Sequence, residues 1–286
     1  MTIRNPVEWG SETFRQGTHA VGTGGHAAYH REDINSLVPK ICQINTADLK
    51  DVIRKGFEDF GVYRTDVIFL CLIYPVVGLV LARATFGGDM LQLLFPLASG
   101  FALIGPFAAI GLYEMSRRRE EGAEIGWGDA FGVLRSPSFG AILALGLILM
   151  AVFVLWLLVA QAIYSVTLGP DTPDSIGSFM RELFTTGAGW ALIVVGCGVG
   201  FLFAVLALSI SVVSFPLLLD RKVSVTTAIW TSMRAVAKNP RTMAMWGMIV
   251  TAGLVIGSIP LFVGLIIVMP VLGHATWHLY RKVVKP

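Results

Sequence analysis

Apolar residues gather into long unbroken runs along this chain instead of recurring as helical stripes. Five runs stand out: Val67–Ala84, Leu91–Met115, Phe139–Val166, Gly187–Leu219 and Met243–Tyr280. Each reaches the ~18 residues expected of a membrane-spanning helix. The last exceeds one span, because the stretch from 243 to 280 would extend about 57 Å as a helix against a hydrocarbon core of about 30 Å.

The basic residues lie in alternate connectors. Lys50, Arg54, Lys55 and Arg64 precede the first run, Arg117, Arg118, Arg119 and Arg135 follow the second, and Arg221, Lys222, Arg234, Lys238 and Arg241 follow the fourth. Arg281, Lys282 and Lys285 close the chain, while the two remaining connectors hold only Arg83 and Arg181. Lysine and arginine concentrate on the cytoplasmic side of a membrane. Both termini are therefore expected to be cytoplasmic, which requires an even number of spans. A tight outer turn at Ser258–Pro260 splits the last run and makes six.

The inner connectors resemble one another. "WGDAFGVLRSP" (Trp127–Pro137) and "WTSMRAVAKNP" (Trp230–Pro240) each carry Trp, a basic residue eight on and Pro ten on. Apolar positions recur at helical spacing, with Trp127, Phe131 and Leu134 in one and Trp230, Met233 and Ala237 in the other. The segment before the first span does the same with Ile53, Phe57 and Phe60. Such segments read as short amphipathic helices in the inner interface, basic residues toward lipid phosphate. Aligning Pro106 with Pro270 also matches Tyr113 to Trp277, Glu114 to His278 and Arg118 to Lys282.

The expected fold is thus an all-α integral membrane protein. It has six transmembrane helices in three hairpins, each preceded by an amphipathic interfacial helix. The units run roughly over 47–122, 123–222 and 223–286, after a flexible tail at 1–46 that contains His19, His26 and His30 and lacks the apolar core of a signal peptide. Composition agrees, with 55% hydrophobic and 14% charged residues against roughly 25% charged in soluble domains. The expected interface residues are Trp127, Trp230, Tyr113, Trp277, Arg117, Arg118, Arg119, Arg221, Lys222, Arg281 and Lys282.

"LIGPFAAIGLYEMSRRREEG" (Leu103–Gly122), with "DLKDVIRKGFEDF" and "LIYPVVGLVLA" upstream, resembles a bacterial family of integral membrane proteins without assigned function, the domain-of-unknown-function family 2189. The resemblance runs from about residue 45 to the C-terminus. Some members carry the label cytochrome c oxidase subunit I, which implies haem and copper, and the residues test that implication. A haem–copper core needs histidines on several helices. Here the spans hold two, His274 and His278, four apart on one helix face, so a catalytic oxidase subunit is excluded.

A metal at the inner mouth would need His274, His278, Glu114 and Asp220 to converge. The preferred reading of the histidines is the polar end of a membrane helix, exchangeable for glutamine, with no metal and no cofactor. Cys42, Cys71 and Cys197 match no metal or haem spacing. The spans offer Gln161, Ser209, Ser211, Ser214 and Thr251, read as helix–helix hydrogen-bonding residues, and no ionisable group at depth. In the long outer loop, Asp174 can cap a short helix presenting Phe179 and Leu183. The expected role is non-catalytic: an accessory, assembly or lipid-organising protein of the bacterial inner membrane. Its expected partners are membrane lipid and possible membrane complexes, not nucleic acid. A small-molecule permease and an accessory protein of a respiratory terminal oxidase are the alternatives, with a metal-dependent membrane enzyme after them. Oligomeric state is not legible.

Overall fold

The computed structural model describes residues 39–71, 91–123, 136–173 and 175–285, with positions 76, 78–80, 83, 132 and 133. The histidines of the tail, Trp127 with Phe131 and Leu134, and Asp174 lie outside the described residues. Ten α-helices are described: α1 Thr46–Cys71, α2 Leu94–Ala108, α3 Ile110–Glu120, α4 Phe139–Thr167, α5 Ile176–Thr185, α6 Gly187–Ser211, α7 Ser214–Asp220, α8 Val225–Lys238, α9 Pro240–Ser258 and α10 Leu265–Val283. Among the described residues, α4, the α6–α7 stretch Gly187–Asp220, and α9 are long and apolar enough to cross a membrane. They coincide with the third run, the fourth run and the first half of the fifth.

Breaks between helices have local causes. Pro216 lacks the N–H that would bond the Val212 carbonyl, so the ladder breaks at Val212–Val213 between α6 and α7. The freed Val213 N–H donates to Ser232 Oγ of α8 at 3.2 Å. Ser224 caps α8 by accepting from Thr227 N, and Pro240 opens α9 as its first residue. The α8 segment is therefore a separate amphipathic helix, as its spacing predicts.

The first unit differs. No proline interrupts Thr46–Cys71, and the predicted interfacial segment runs without a break toward the first apolar run as one helix of 26 residues. Asn45 and Asp48 start it by reciprocal hydrogen bonds of 3.0 and 2.8 Å. The turn between α9 and α10 also falls later than expected. It occupies 259–264, with Leu261 and Phe262 at φ 51° and 66°, a left-handed backbone costing about 1–2 kcal/mol per residue. In the loop between α4 and α5, Ser175, with Ser178, forms the cap of α5, and Phe179 turns inward onto Tyr164 with ring centroids 6.4 Å apart. Ser211, Ser214 and Thr251 donate to carbonyls four residues back in the chain.

Packing is dense at one end of the bundle and thin at the other. Only 22%, 6% and 22% of the apolar windows of α4, α6 and α9 are buried. Of the fully buried aromatics, Trp156 and Trp246 belong to α4 and α9, whereas Tyr113, Phe215, Trp277 and Tyr280 join Leu49, Val52, Met115, Leu217 and Val283 where α1, α3, α7 and α10 meet. Beside them Ile41 and Val284 form an antiparallel bridge, Cys42 N donating to Val283 O at 2.7 Å. The two ends of the described chain thus lie side by side. Along the same turns of α1, Arg54 and Glu58 face outward, with side chains 62% and 49% exposed. A helix face with that charge does not lie in hydrocarbon, so the dense end stands outside the apolar layer.

α1 comes close to α10 at Gly56, where an added Cβ would lie 2.6 Å from the Val271 carbonyl oxygen and 2.9 Å from Ala275 Cβ. Backbone cannot give way there. Gly61, one turn on, has nothing within 4 Å. Gly56→Ala is expected to destabilise the protein by about 1–3 kcal/mol through overpacking. Gly61→Ala should stabilise by about 1 kcal/mol through helix propensity. Thermal unfolding of the two variants in one detergent reads the opposite signs.

Candidate functional site

At the dense end two helices bring polar side chains onto one buried carboxylate of a third. The inward stripe of α1 runs Leu49, Val52, Gly56, Asp59, so Asp59 takes a core position and is only 3% exposed. On α3, Ser116, Arg119 and Glu120 share a face by their spacing of three and four. On α10, His274, His278 and Arg281 do so by four and three.

Asp59 Oδ2 accepts from Ser116 Oγ at 2.5 Å and from His278 Nε2 at 2.9 Å, and Arg119 donates to Oδ1. Ser116 Oγ also lies 2.8 Å from His274 Nδ1. With the hydroxyl proton given to Asp59, His274 must donate from Nδ1, which leaves its Nε2 a buried acceptor without a partner. On the other side His278 Nδ1 is 3.5 Å from Glu120 Oε1, and Glu120 Oε2 pairs with Arg281 Nε at 3.1 Å. The chain of contacts ends at Asp220, which is 3.7 Å from Arg281 and accepts from Tyr280 at 2.5 Å.

These contacts set the charges. Burial pushes the Asp59 carboxyl up, but hydrogen bonds from His278 and Ser116 outweigh it and hold it below its ordinary value. Burial drives His274 down to about 4, so it is neutral at neutral pH. Burial also draws His278 down, but the hydrogen bonds to Asp59 and Glu120 prevail and raise it. Glu120, opposed by burial, is held low by His278 and Arg281.

The residues expected to face the interface distribute differently. Tyr113 and Trp277 are 1% and 0% exposed, packed into the core because α1 and α3 cover the face of α10 that was expected to meet lipid. Arg117 and Arg118 pair with Glu114 at 2.8 and 2.7 Å, and Arg119 pairs with Asp59. Arg221 contacts Asp220 at 3.5 Å and the Lys285 carbonyl at 2.6 Å. Lys282 bridges Asp48 and Asp51 at 3.0 and 3.1 Å. Lys222 and Trp230 are exposed. His274 and His278 converge on Asp59, whereas Glu114 is taken by arginines and Asp220 by Tyr280 and Arg281. Among the described residues no group of three His, Cys, Asp or Glu is placed to hold a metal ion.

Residues 94–220 match the model of a family described as predicted integral membrane protein, the domain-of-unknown-function family 2189. The matched range is narrower than the motifs suggest, since "DLKDVIRKGFEDF" and "LIYPVVGLVLA" fall before it. It includes Ser116, Arg119, Glu120 and Asp220, and leaves out the helices that supply Asp59, His274 and His278. No curated protein matches the chain, and no solved structure does.

Asp59 and Ser116 were not among the sequence candidates. The signal for Asp59 was its place in the apolar stripe of α1, a carboxylate where a leucine would be ordinary. Removing one member of a buried charged pair costs about 3–5 kcal/mol. Asp59→Asn is therefore expected to lower stability by a few kcal/mol. Exchange of both histidines for glutamine, neutral for an exposed helix end, should be destabilising here as well. Denaturant titration of the purified protein measures both.

Proposed function

We propose that the chain is a non-catalytic, lipid-organising protein of the bacterial inner membrane, with six spans and both ends on the cytoplasmic side. One observation carries the lipid reading: the face that α8 turns outward. Trp230 and Met233 are 61% and 40% exposed, and Ala237, Arg234 and Lys238 share that outer surface. The buried side consists of Ala228, Thr231, Ser232 and Ala235. Apolar and basic residues outside, small and polar ones inside, is the reverse of a soluble helix. It suits the boundary between acyl chains and phosphate. From Arg221 to the chain end there is no Asp or Glu, so carboxylates of this stretch do not neutralise its cations. Anionic lipid can.

The side-by-side ends support the topology. A chain whose described ends pair at Ile41 and Val284 crosses a membrane an even number of times. The three long apolar helices therefore need at least one more crossing, and the α1–α2 region and the start of α10 supply candidates.

Two measurements test the proposal. A C-terminal reporter should be active only in the cytoplasm, and periplasmic activity refutes the orientation. Replacing Lys222, Arg234 and Arg241 by glutamine should reduce anionic lipid retained through mild-detergent purification, each cation being worth about 1 kcal/mol near an anionic surface, or roughly fivefold. Unchanged retention refutes the lipid role.

A further inference from the structure

His278 lies between carboxylates from two other helices. Asp59 of α1 faces its Nε2 at 2.9 Å, and Glu120 at the end of α3 faces its Nδ1 at 3.5 Å. A neutral imidazole has one N–H and one lone pair and can donate to only one of them, whereas an imidazolium donates to both. We propose that His278 is a proton-binding site whose occupancy sets how firmly α1 and α3 are held against α10. This inference stands apart from the lipid reading, which uses α8.

With the proton bound, each ring nitrogen donates to a carboxylate and the three helices are tied together. On release the proton passes to water beside Glu120, whose side chain is 34% exposed. The ring then keeps Nε2–H on Asp59 and turns a lone pair toward the Glu120 carboxylate. That contact becomes repulsive, while Glu120 retains Arg281 at 3.1 Å.

The surrounding charges come from every packed element. Asp59 from α1 and Glu120 from α3 favour the proton. Arg119 from α3 and Arg281 from α10 oppose it. Asp220 from α7 lies behind Arg281, and His274, one turn away on α10, is neutral. The carboxylates prevail, since His278 holds its proton more tightly than a free imidazole. Its contribution to stability is therefore complete below the ordinary value of about 6.5 and is lost as pH rises through the higher folded value. Asp59 and Glu120, both held low, stay charged through that rise, and their contributions are lost only in acid.

Hydrogen exchange of the full chain in nanodiscs tests the site through amides 49–60 of α1. After correction for intrinsic rates, protection should fall between about pH 6 and about pH 9 as His278 releases its proton. In Glu120→Gln the midpoint should move toward that of free imidazole, and in His278→Gln the dependence should vanish. Unchanged wild-type protection, or a transition that survives in His278→Gln, overturns the proposal. Because His278→Gln also disturbs packing, ring nitrogen shifts of labelled wild-type protein give a second reading. A neutral His278 ring at about pH 6.5 overturns the proposal whatever the variant does.

Discussion

Burying the Asp59 carboxylate is the constraint on which the dense end of this protein depends. An ionised carboxylate taken from water costs several kcal/mol unless donors replace the lost solvent. Three donors do so, Ser116 and Arg119 from α3 and His278 from α10. His278 can reach only if α1 lies close to α10, and the missing side chain at Gly56 permits that approach. Once the three helices are tied there, Trp277 and Tyr280 are covered, with ring centroids 5.4 Å apart, and Lys282 is carried to Asp48 and Asp51. The arrangement selects geometry more than it adds stability, because much of the attraction offsets desolvation.

The apolar helices were legible because hydrocarbon demands length and continuity, and both are written locally. Phe139–Val166 and Gly187–Leu219 agree with α4 and the α6–α7 stretch within a residue or two. The α8 helix was legible from its Trp–Met–Ala spacing and the proline after it, although it begins five residues before Trp230, at Val225. The site was not, because its parts come from opposite ends of the chain and nothing local reports their pairing. His274 and His278 drew notice as a metal-like pair, yet the third group on their face is Asp59, 219 residues from His278. That Tyr113 and Trp277 are covered was illegible for a related reason. Aromatic rings beside arginines look alike in a headgroup region and in a covered core, and only the neighbouring helix tells them apart.

The two ends of the bundle follow different solvent rules. Around Asp59 the apolar side chains are inside and the charges pair across helix boundaries, as in a water-soluble domain. Along α4 and α6 the order reverses, and Leu147, Leu158, Phe201 and Leu202 are more than 60% exposed. Lipid, or another apolar surface, completes that half of the structure. Ser165, Thr167 and Ser211 there return their hydroxyls to their own helix backbone.

Pairing α1 with α10 also fixes an order of assembly. At a synthesis rate of about 5–20 residues per second, Asp59 emerges about 10–40 s before the histidine that completes its shell. Throughout that interval Leu49 and Val52 have no α10 to cover them, although the apolar helices between have already been made. The dense end can close only after α10 has left the ribosome. A protein truncated before Lys282 therefore carries its defect at the opposite end of its sequence, as a loose and unshielded first helix open to proteolysis.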